Sequence, residues 1–328
     1  MQHASPRDFD LRYGWQRADG ADRGLDPPEI FLRRIRRRHA WQGFSHLTID
    51  LARNERGAAD LEAMLQRPGK RGAIGAREGF AISAGSRDLW FGLRGAVVVP
   101  VPFGDLDVCE LIGAAASQYI SEHLPPAGTL GITWGGTIRA AAQNIRRRSG
   151  DGSRVVLLYG GLAERTAISP YDKAAMARAL GARCYYVTAP MFAHTEELCS
   201  ARVSSKPVRS VLAMAAELDI ALLTAVDLSE QSKALEYGVI SRETWQSLLD
   251  AGAVGDICGQ YLDIDGRAVA HPLTNRVIHP KMKSLLQVPE RVLAAGGLQK
   301  IPIIGAAIRA RLVDILVTDE QAAIGLLG

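Results

Sequence analysis

The 328-residue sequence is poor in aromatic residues, which make up 6% of it, and holds only four cysteines. Cys109, Cys184, Cys199 and Cys258 are widely spaced and form no C-x-x-C pair. That excludes a zinc ribbon and a thioredoxin-like site, and it predicts reduced, buried thiols with no metal. No stretch reaches the roughly 18 apolar residues that a membrane helix needs, and the N-terminus, MQHASPRDFDLR, has no apolar signal core. A cytoplasmic protein without membrane contact is expected. The chain lacks a repeat with a period of roughly 20 to 50 residues, so it is no solenoid. It also lacks G-x-G-x-x-G after a strand, which tells against a dinucleotide, and no other cofactor is expected.

What is present is a 47% apolar composition, 33 glycines spread along the chain, and 39 basic against 35 acidic side chains. This is the make-up of a folded α/β protein long enough for more than one domain. The basic excess is confined to the first 103 residues, which hold 17 basic and 12 acidic side chains, whereas the remainder holds 22 and 23. Such an asymmetry fits either a nucleic-acid-facing segment or an ordinary solvated face.

From Ala96 onward, short β-branched runs alternate with amphipathic segments, the pattern of parallel strands joined by crossover helices. Strands are predicted at Val97 to Val101, Thr129 to Thr133, Val155 to Leu158, Cys184 to Val187, Ile220 to Ala225, Ile257 to Leu262, Val292 to Ala295 and Ile315 to Val317. Val108, Leu111, Ile112, Ala115, Ala116, Tyr119 and Ile120 recur at helical spacing and predict one apolar helix face. Ser169-Pro170 and Thr318-Asp319-Glu320-Gln321 read as helix starts, the second with capping-box spacing. Asp265-Gly266 reads as a hairpin turn that interrupts the parallel sheet. Residues 1–60 are set apart as an N-terminal region with a basic helix from Glu29 to Trp41 and a strand from His46 to Leu51. Residues 61–94 read as a linker and 95–328 as the main domain.

The strand at Thr129 runs into Trp134-Gly135-Gly136-Thr137 and then a helix. Glycines before a helix N-terminus leave unpaired N–H groups that suit an anion, so Gly135, Gly136 and Thr137 are candidates for a phosphate, with a purely structural turn as the alternative. Gly160 and Gly161 form a second strand-end pair, and in an open parallel sheet both turns fall on the carboxyl edge. Asp256 and Lys300 complete the candidates; Lys300 is either a solvated charge or a cation that reaches into the cleft.

Three segments, GITWGGTIRAA from Gly131, GDICGQYLDIDGRAVAHPLTNRVI from Gly255 and AAGGLQKIPIIGAAIRARLVDILVTDEQAA from Ala294, together resemble the effector domain of SorC-type (SorC/DeoR) transcriptional regulators. The resemblance covers residues 95 to 328. It implies a Rossmann-like, mostly parallel sheet flanked by helices, related to sugar-phosphate isomerases and deaminases. It also implies a phosphorylated sugar or polyol effector, operator DNA as partner, and a homo-oligomer, dimer or tetramer. In such domains the turn matching Gly135 to Thr137 cradles phosphate, and the residues matching Asp256 and Lys300 contact the sugar. LYGGLAERTAISPYD from Leu158 and APMFAHTEE from Ala189 resemble the erythritol and polyol branch of the family.

The N-terminus departs from the family. Residues 1 to 45 do not carry its helix-turn-helix signature, although Glu29 to Trp41 could stand in for the recognition helix. Arg33, Arg34, Arg36, Arg37 and Arg38 on that segment suit contacts to DNA phosphates. Two further readings stay open: a sugar-phosphate isomerase or deaminase with Asp256 as base and Lys300 polarising a carbonyl, and an effector-binding protein that has lost its DNA contact. Histidines 123, 194, 271 and 279 are scattered and suggest no proton relay, so no catalytic residue is assigned.

Overall fold

Strands form where β-branched and small apolar residues can be buried on both sides, and this decides the layering of the domain. The computed structural model describes residues 47–50, 93–99, 107–148, 152–161 and 174–327. The arginine run at 33–38 and the Ser169-Pro170 helix start lie outside the described residues.

Within the described residues the strands are β1 (Leu47–Asp50), β2 (Gly95–Val99), β3 (Thr129–Ile132), β4 (Arg154–Leu157), β5 (Arg183–Tyr185), β6 (Ile220–Leu223), β7 (Ala225–Asp227), β8 (Gly255–Ile257), β9 (Gln260–Leu262), β10 (Glu290–Ala294) and β11 (Ile315–Asp319). Eight make one sheet in the order β1-β2-β11-β10-β6-β3-β4-β5, and β7-β8-β9 make a small second sheet. Every pairing in the large sheet is parallel except β1 with β2. From β3 the chain winds outward to β4 and β5, returns to the other side of β3 as β6, and winds outward again through β10 and β11. The loops therefore part between β3 and β6, at a switch point that opens a crevice at the carboxyl ends of the strands.

The two-residue period of a strand builds both cores. Ile220 and Leu222 of β6 join one cluster and Ala221 and Leu223 the other, and Val292 and Leu293 of β10 divide in the same way. One face is covered by α1 (Val108–His123), α2 (Gly136–Asn144) and α3 (Ala175–Leu180). Next, α4 (Glu196–Ser204) and α5 (Lys206–Ala213) pack Cys199, Val208 and Leu212 around Ile278. A short α6 (Lys233–Glu236) follows β7, and α7 (Arg242–Asp250) sets Trp245 and Leu248 beside Tyr261 of the small sheet. The other face of the large sheet is covered by α8 (Met282–Leu285), α9 (Ile301–Arg309) and α10 (Glu320–Leu327).

The predicted α1 face is buried as expected, at Leu111, Ile112, Ala115, Ala116, Tyr119 and Ile120. Two predicted strands differ. Ile220 to Ala225 is not one strand, because at Thr224 the chain leaves the large sheet and Ala225–Asp227 pairs antiparallel with β8. Ile257 to Leu262 is likewise two strands, joined by Cys258 and Gly259 with φ of 52° and 78°. Two successive positive φ values make the tight turn favoured in two-residue hairpins, and a run of apolar residues conceals it because Cys258 is not a usual turn former. The Asp265-Gly266 turn is present: Asp263 Oδ1 accepts from the N–H groups of Asp265 and Arg267, and Gly266 has φ +82°.

At the amino edge of the large sheet, one carboxylate ties three strands. Asp314 accepts from Arg291 N at 2.8 Å, Arg291 Nε at 2.9 Å and Arg291 Nη2 at 2.8 Å, and its carbonyl accepts from Arg94 N at 2.7 Å. The Arg291 and Asp314 side chains are only 14% and 13% exposed, so removing one partner strands a desolvated charge. Asp314→Ala should cost about 3 kcal/mol in chemical denaturation, and replacing both residues by apolar ones should recover much of that loss.

Candidate functional site

The crevice at the switch point is framed by two threonines. Thr133, just past β3, accepts through Oγ1 from Thr224 N at 3.0 Å, and Thr224 Oγ1 donates to the carbonyl of Trp134 at 2.7 Å. These bonds hold the chain from β3 toward β6 as it turns into α2. Gly135 caps α2 with φ +133°, a conformation that side chains rarely adopt, so glycine is required there. Gly136 and Thr137 open the helix, and the N–H groups of its first turn have no acceptor within it. With the helix dipole behind them, they make a cradle of the kind that suits an anion.

The first turn of α1 closes the cradle from the side. A Cβ on Gly136 would lie 3.7 Å from Cys109 Cβ, an ordinary contact. Cys109 is the second residue of α1, and its N–H donates to Oδ1 of Asp107, the helix cap, at 2.9 Å. Burial raises the Cys109 thiol, the positive charge of Lys300 and a hydrogen bond from Thr137 lower it, and the charge of Asp107 raises it. Lys300 is thus one of the charges felt at Cys109. It ends the short turn Leu298–Lys300 after β10, and α9 follows at once.

The turn that carries Lys300 is fastened by Asp319 at the end of β11. Oδ2 of this buried carboxylate accepts from Gly297 N at 2.6 Å, while Oδ1 accepts from Gln321 N at 3.0 Å and Ala322 N at 3.1 Å. The cap of α10 is therefore Asp319, one residue later than the capping-box spacing from Thr318 suggests.

Gly160 and Gly161 serve packing. Gly160 N donates to Ile278 O at 3.2 Å and Gly161 N to Ala189 O at 2.9 Å, and a methyl group on Gly160 would overlap the carbonyl of Pro190. Both N–H groups are thus committed within the protein, and the expected role as backbone donors to a ligand does not fit this pair. Glycine is needed at 160 because two loops cross there without room for a side chain.

Asp256 and Lys300 are not brought together as a charge pair. Asp256 is buried in β8, and its Oδ2 accepts from Gly259 N at 2.8 Å inside its own hairpin. Burial raises its carboxyl to about 7, against a lowering by the Gly259 N–H, whereas the charge of Lys300 is felt at Cys109. Sequence reasoning missed Asp107 and Cys109, although an Asp directly before a periodic helix is a capping signal. It also missed the Thr133–Thr224 bond, which links residues 91 apart and has no local signature.

A family model described as "Putative sugar-binding domain" matches residues 89–328. The deoxyribonucleoside regulator of Bacillus subtilis is 24% identical over 241 residues, 72% of this chain and 76% of that protein. The erythritol catabolism regulatory protein EryD of Brucella abortus is 27% identical over 239 residues, 68% of this chain and 75% of that protein. Among solved structures, the full-length sorbitol operon regulator SorC of Klebsiella pneumoniae superimposes with a TM-score of 0.66 at 22% identity, over 74% of this chain and 80% of that one. The fold is what this chain shares with it. Among the described residues no helix is long and apolar enough to cross a membrane.

The Asp256 carboxyl makes stability depend on pH. From its ordinary value of 3.8 up to about 7, the unfolded chain releases this proton and the folded chain keeps it, so the native state loses stability as pH rises through that window. The slope is about 1.4 kcal/mol per pH unit. Asp256→Asn keeps an oxygen for Gly259 N and has no proton to lose. In denaturation series from pH 4 to pH 8, roughly the span of the shift, the variant should gain on the wild type steadily as pH rises.

Proposed function

We propose a function from one premise, that the chain belongs to the sugar-binding domain family of SorC/DeoR-type transcriptional regulators: it is a regulator whose C-terminal domain senses a phosphorylated sugar or polyol. The observation that carries this reading is the open first turn of α2 at the switch point, beside the Cys109 at which the charge of Lys300 is felt. The phosphate sits on the N–H groups of Gly136 and Thr137 with the Thr137 hydroxyl, Gly135 gives the backbone its approach, and Lys300 counters the charge. Asp256 contacts the sugar through the oxygen that Gly259 does not use. The N-terminal residues, with Arg33, Arg34, Arg36, Arg37 and Arg38, contact operator DNA through its phosphates. Residues 1–60 are the DNA-facing region, 61–94 the linker and 95–328 the sensor. The protein works in the cytoplasm as a dimer or tetramer, since a two-fold operator calls for a symmetric reader.

One observation favours a second reading, an isomerase- or deaminase-like enzyme: a carboxyl that titrates at about 7 is suited to proton transfer near neutral pH. The sensor reading is preferred because this carboxyl and Lys300 are not paired, whereas that enzyme needs both at one carbonyl.

Gly136 tests the sensor directly. A Cβ there meets Cys109 only at ordinary contact distance, so Gly136→Val should fold and yet lose effector binding in calorimetry, because the added methyl groups fill the cradle. In gel shifts with its own upstream DNA, the wild type should respond to sugar phosphates and Gly136→Val should not. Lys300→Met should weaken binding by about 1.5 to 3 kcal/mol, the usual loss for a charged hydrogen bond. Wild-type turnover of sugar phosphates followed by NMR, abolished in Lys300→Met, would replace the sensor by the enzyme.

Sedimentation at micromolar concentration should give a dimer or tetramer of the 35.4 kDa chain. A monomer alone would count against a regulator that reads a symmetric operator.

A further inference from the structure

Charge is unevenly spread within the sheet domain. Residues 139–195 hold nine basic and three acidic side chains, a net of +6 that exceeds the +4 of the whole chain. Residues 104–138 and 196–328 together hold 13 basic and 20 acidic side chains, a net of −7. The three carboxylates of the basic stretch, Asp151, Glu164 and Asp172, lie outside the described residues. In a parallel sheet the crossover helices end, and the next strands begin, at the amino edge, which is the edge opposite the crevice. Most of the arginines of this stretch stand at such ends and beginnings.

Arg146, Arg147 and Arg148 follow the end of α2, Arg154 opens β4, Arg178 stands in the last turn of α3, and Arg183 opens β5, the outermost strand of the sheet. Main-chain bonds gather them. Arg146 N donates to Ser121 Oγ at 3.2 Å, Arg148 N to Ala179 O at 3.3 Å and Arg183 N to Ser153 O at 3.0 Å, and Arg154 and Arg183 are partners in the β4–β5 register. Two of the guanidinium groups are engaged: Arg148 donates to the carbonyls of Ser121 at 3.1 Å and Leu124 at 2.7 Å, and Arg154 meets Glu217 at 3.1 Å. Carbonyls satisfy the donors of Arg148 and leave its charge in place. Glu122, in the last turn of α1, accepts from Gln118 at 3.0 Å. Arg146, Arg147 and Arg183 are exposed and make no ion pair among the described residues.

We propose that this rim is a second DNA-contacting surface: Arg146, Arg147 and Arg183 pair with phosphates of duplex DNA flanking the operator, in the field of the other arginines. This inference rests on the regulator reading given above and extends it to the effector domain. A guanidinium presents a planar fork that matches phosphate, and the duplex offers a dense row of such groups to a rim of like-charged side chains. A protein partner would need a buried apolar anchor. Among the exposed large apolar side chains only Tyr186 adjoins these elements, and it follows the carboxyl end of β5, away from the arginines. Because the rim and the crevice lie at opposite edges, DNA and effector do not compete for the same residues.

The test is fluorescence anisotropy of the full chain on a long fragment of its own upstream DNA, in a salt series from about 50 to 200 mM. The variant Arg146→Gln/Arg147→Gln/Arg183→Gln should lower the slope of log affinity against log salt by about 2 to 3, close to one for each lost phosphate contact, and weaken binding about tenfold or more at the low-salt end. Lys206→Gln/Arg209→Gln/Lys283→Gln removes the same charge at exposed positions elsewhere and should leave the slope unchanged. All six side chains are exposed, so both variants should melt with the wild type. An unchanged slope in the first variant, or an equal fall in both, overturns the proposal and leaves the regulator standing. A wild type that does not bind its upstream DNA overturns the regulator reading and this inference with it.

Discussion

Two buried threonines fix the geometry of the switch point in the large sheet. Thr133 and Thr224 lie at the ends of β3 and β6, the strands between which the winding of the sheet reverses, and their hydroxyls meet at 3.0 Å. Because Thr224 also takes the carbonyl of Trp134, the chain cannot relax away from β6 before it enters α2. The direction of the first turn of α2 follows, and so does the spacing between that turn and the first turn of α1. Parallel sheets leave their loops free at the carboxyl edge, and here a polar clasp uses that freedom to set two helix N-termini side by side. Both threonines are almost wholly buried, so the bonds between them are not contested by water.

Around the clasp, glycine has more than one role. At 135 it allows a backbone angle of +133° and at 136 it leaves space above the helix, whereas at 160 it allows two loops to touch. A sequence displays the same letter in each case. The neighbours decide the meaning: Cys109 stands at ordinary distance from Gly136, while the Pro190 carbonyl fills the room beside Gly160.

The legibility of the sequence divides along this line. Alternating β-branched runs and the face through Leu111, Ile112, Ala115 and Tyr119 follow local periods, and the large sheet and α1 were readable from them. The strand-end turn at Gly135 was readable for the same reason, since strand, glycine and helix succeed each other directly. The hairpin at Cys258-Gly259 was hidden inside an apolar run, because its φ values are imposed by the pairing of β8 with β9 and not by a residue type that announces a turn. The split of Asp256 from Lys300 was hidden as well. Both stand close to strand ends, and only the packing of the small sheet decides that one carboxylate turns inward to Gly259 while the charge of the lysine is felt at Cys109.

Strands β10 and β11 each have two occupied ends. At the carboxyl ends, the turn that carries Lys300 leaves β10 and is fastened to β11 by Asp319. At the amino ends, Arg291 and Asp314 lock together beneath Arg94, whose own guanidinium reaches the Pro289 carbonyl at 2.8 Å. Arg94 directly precedes β2. The two fastenings, Asp314 and Asp319, lie five positions apart along the chain, a span of about 17 Å. In mechanical terms the pair of strands is a push-rod. A tilt or slide imposed at one end would reach the other with little loss, because a strand hydrogen-bonded on both sides resists buckling. The far end is the one beside Arg94, where β2 begins.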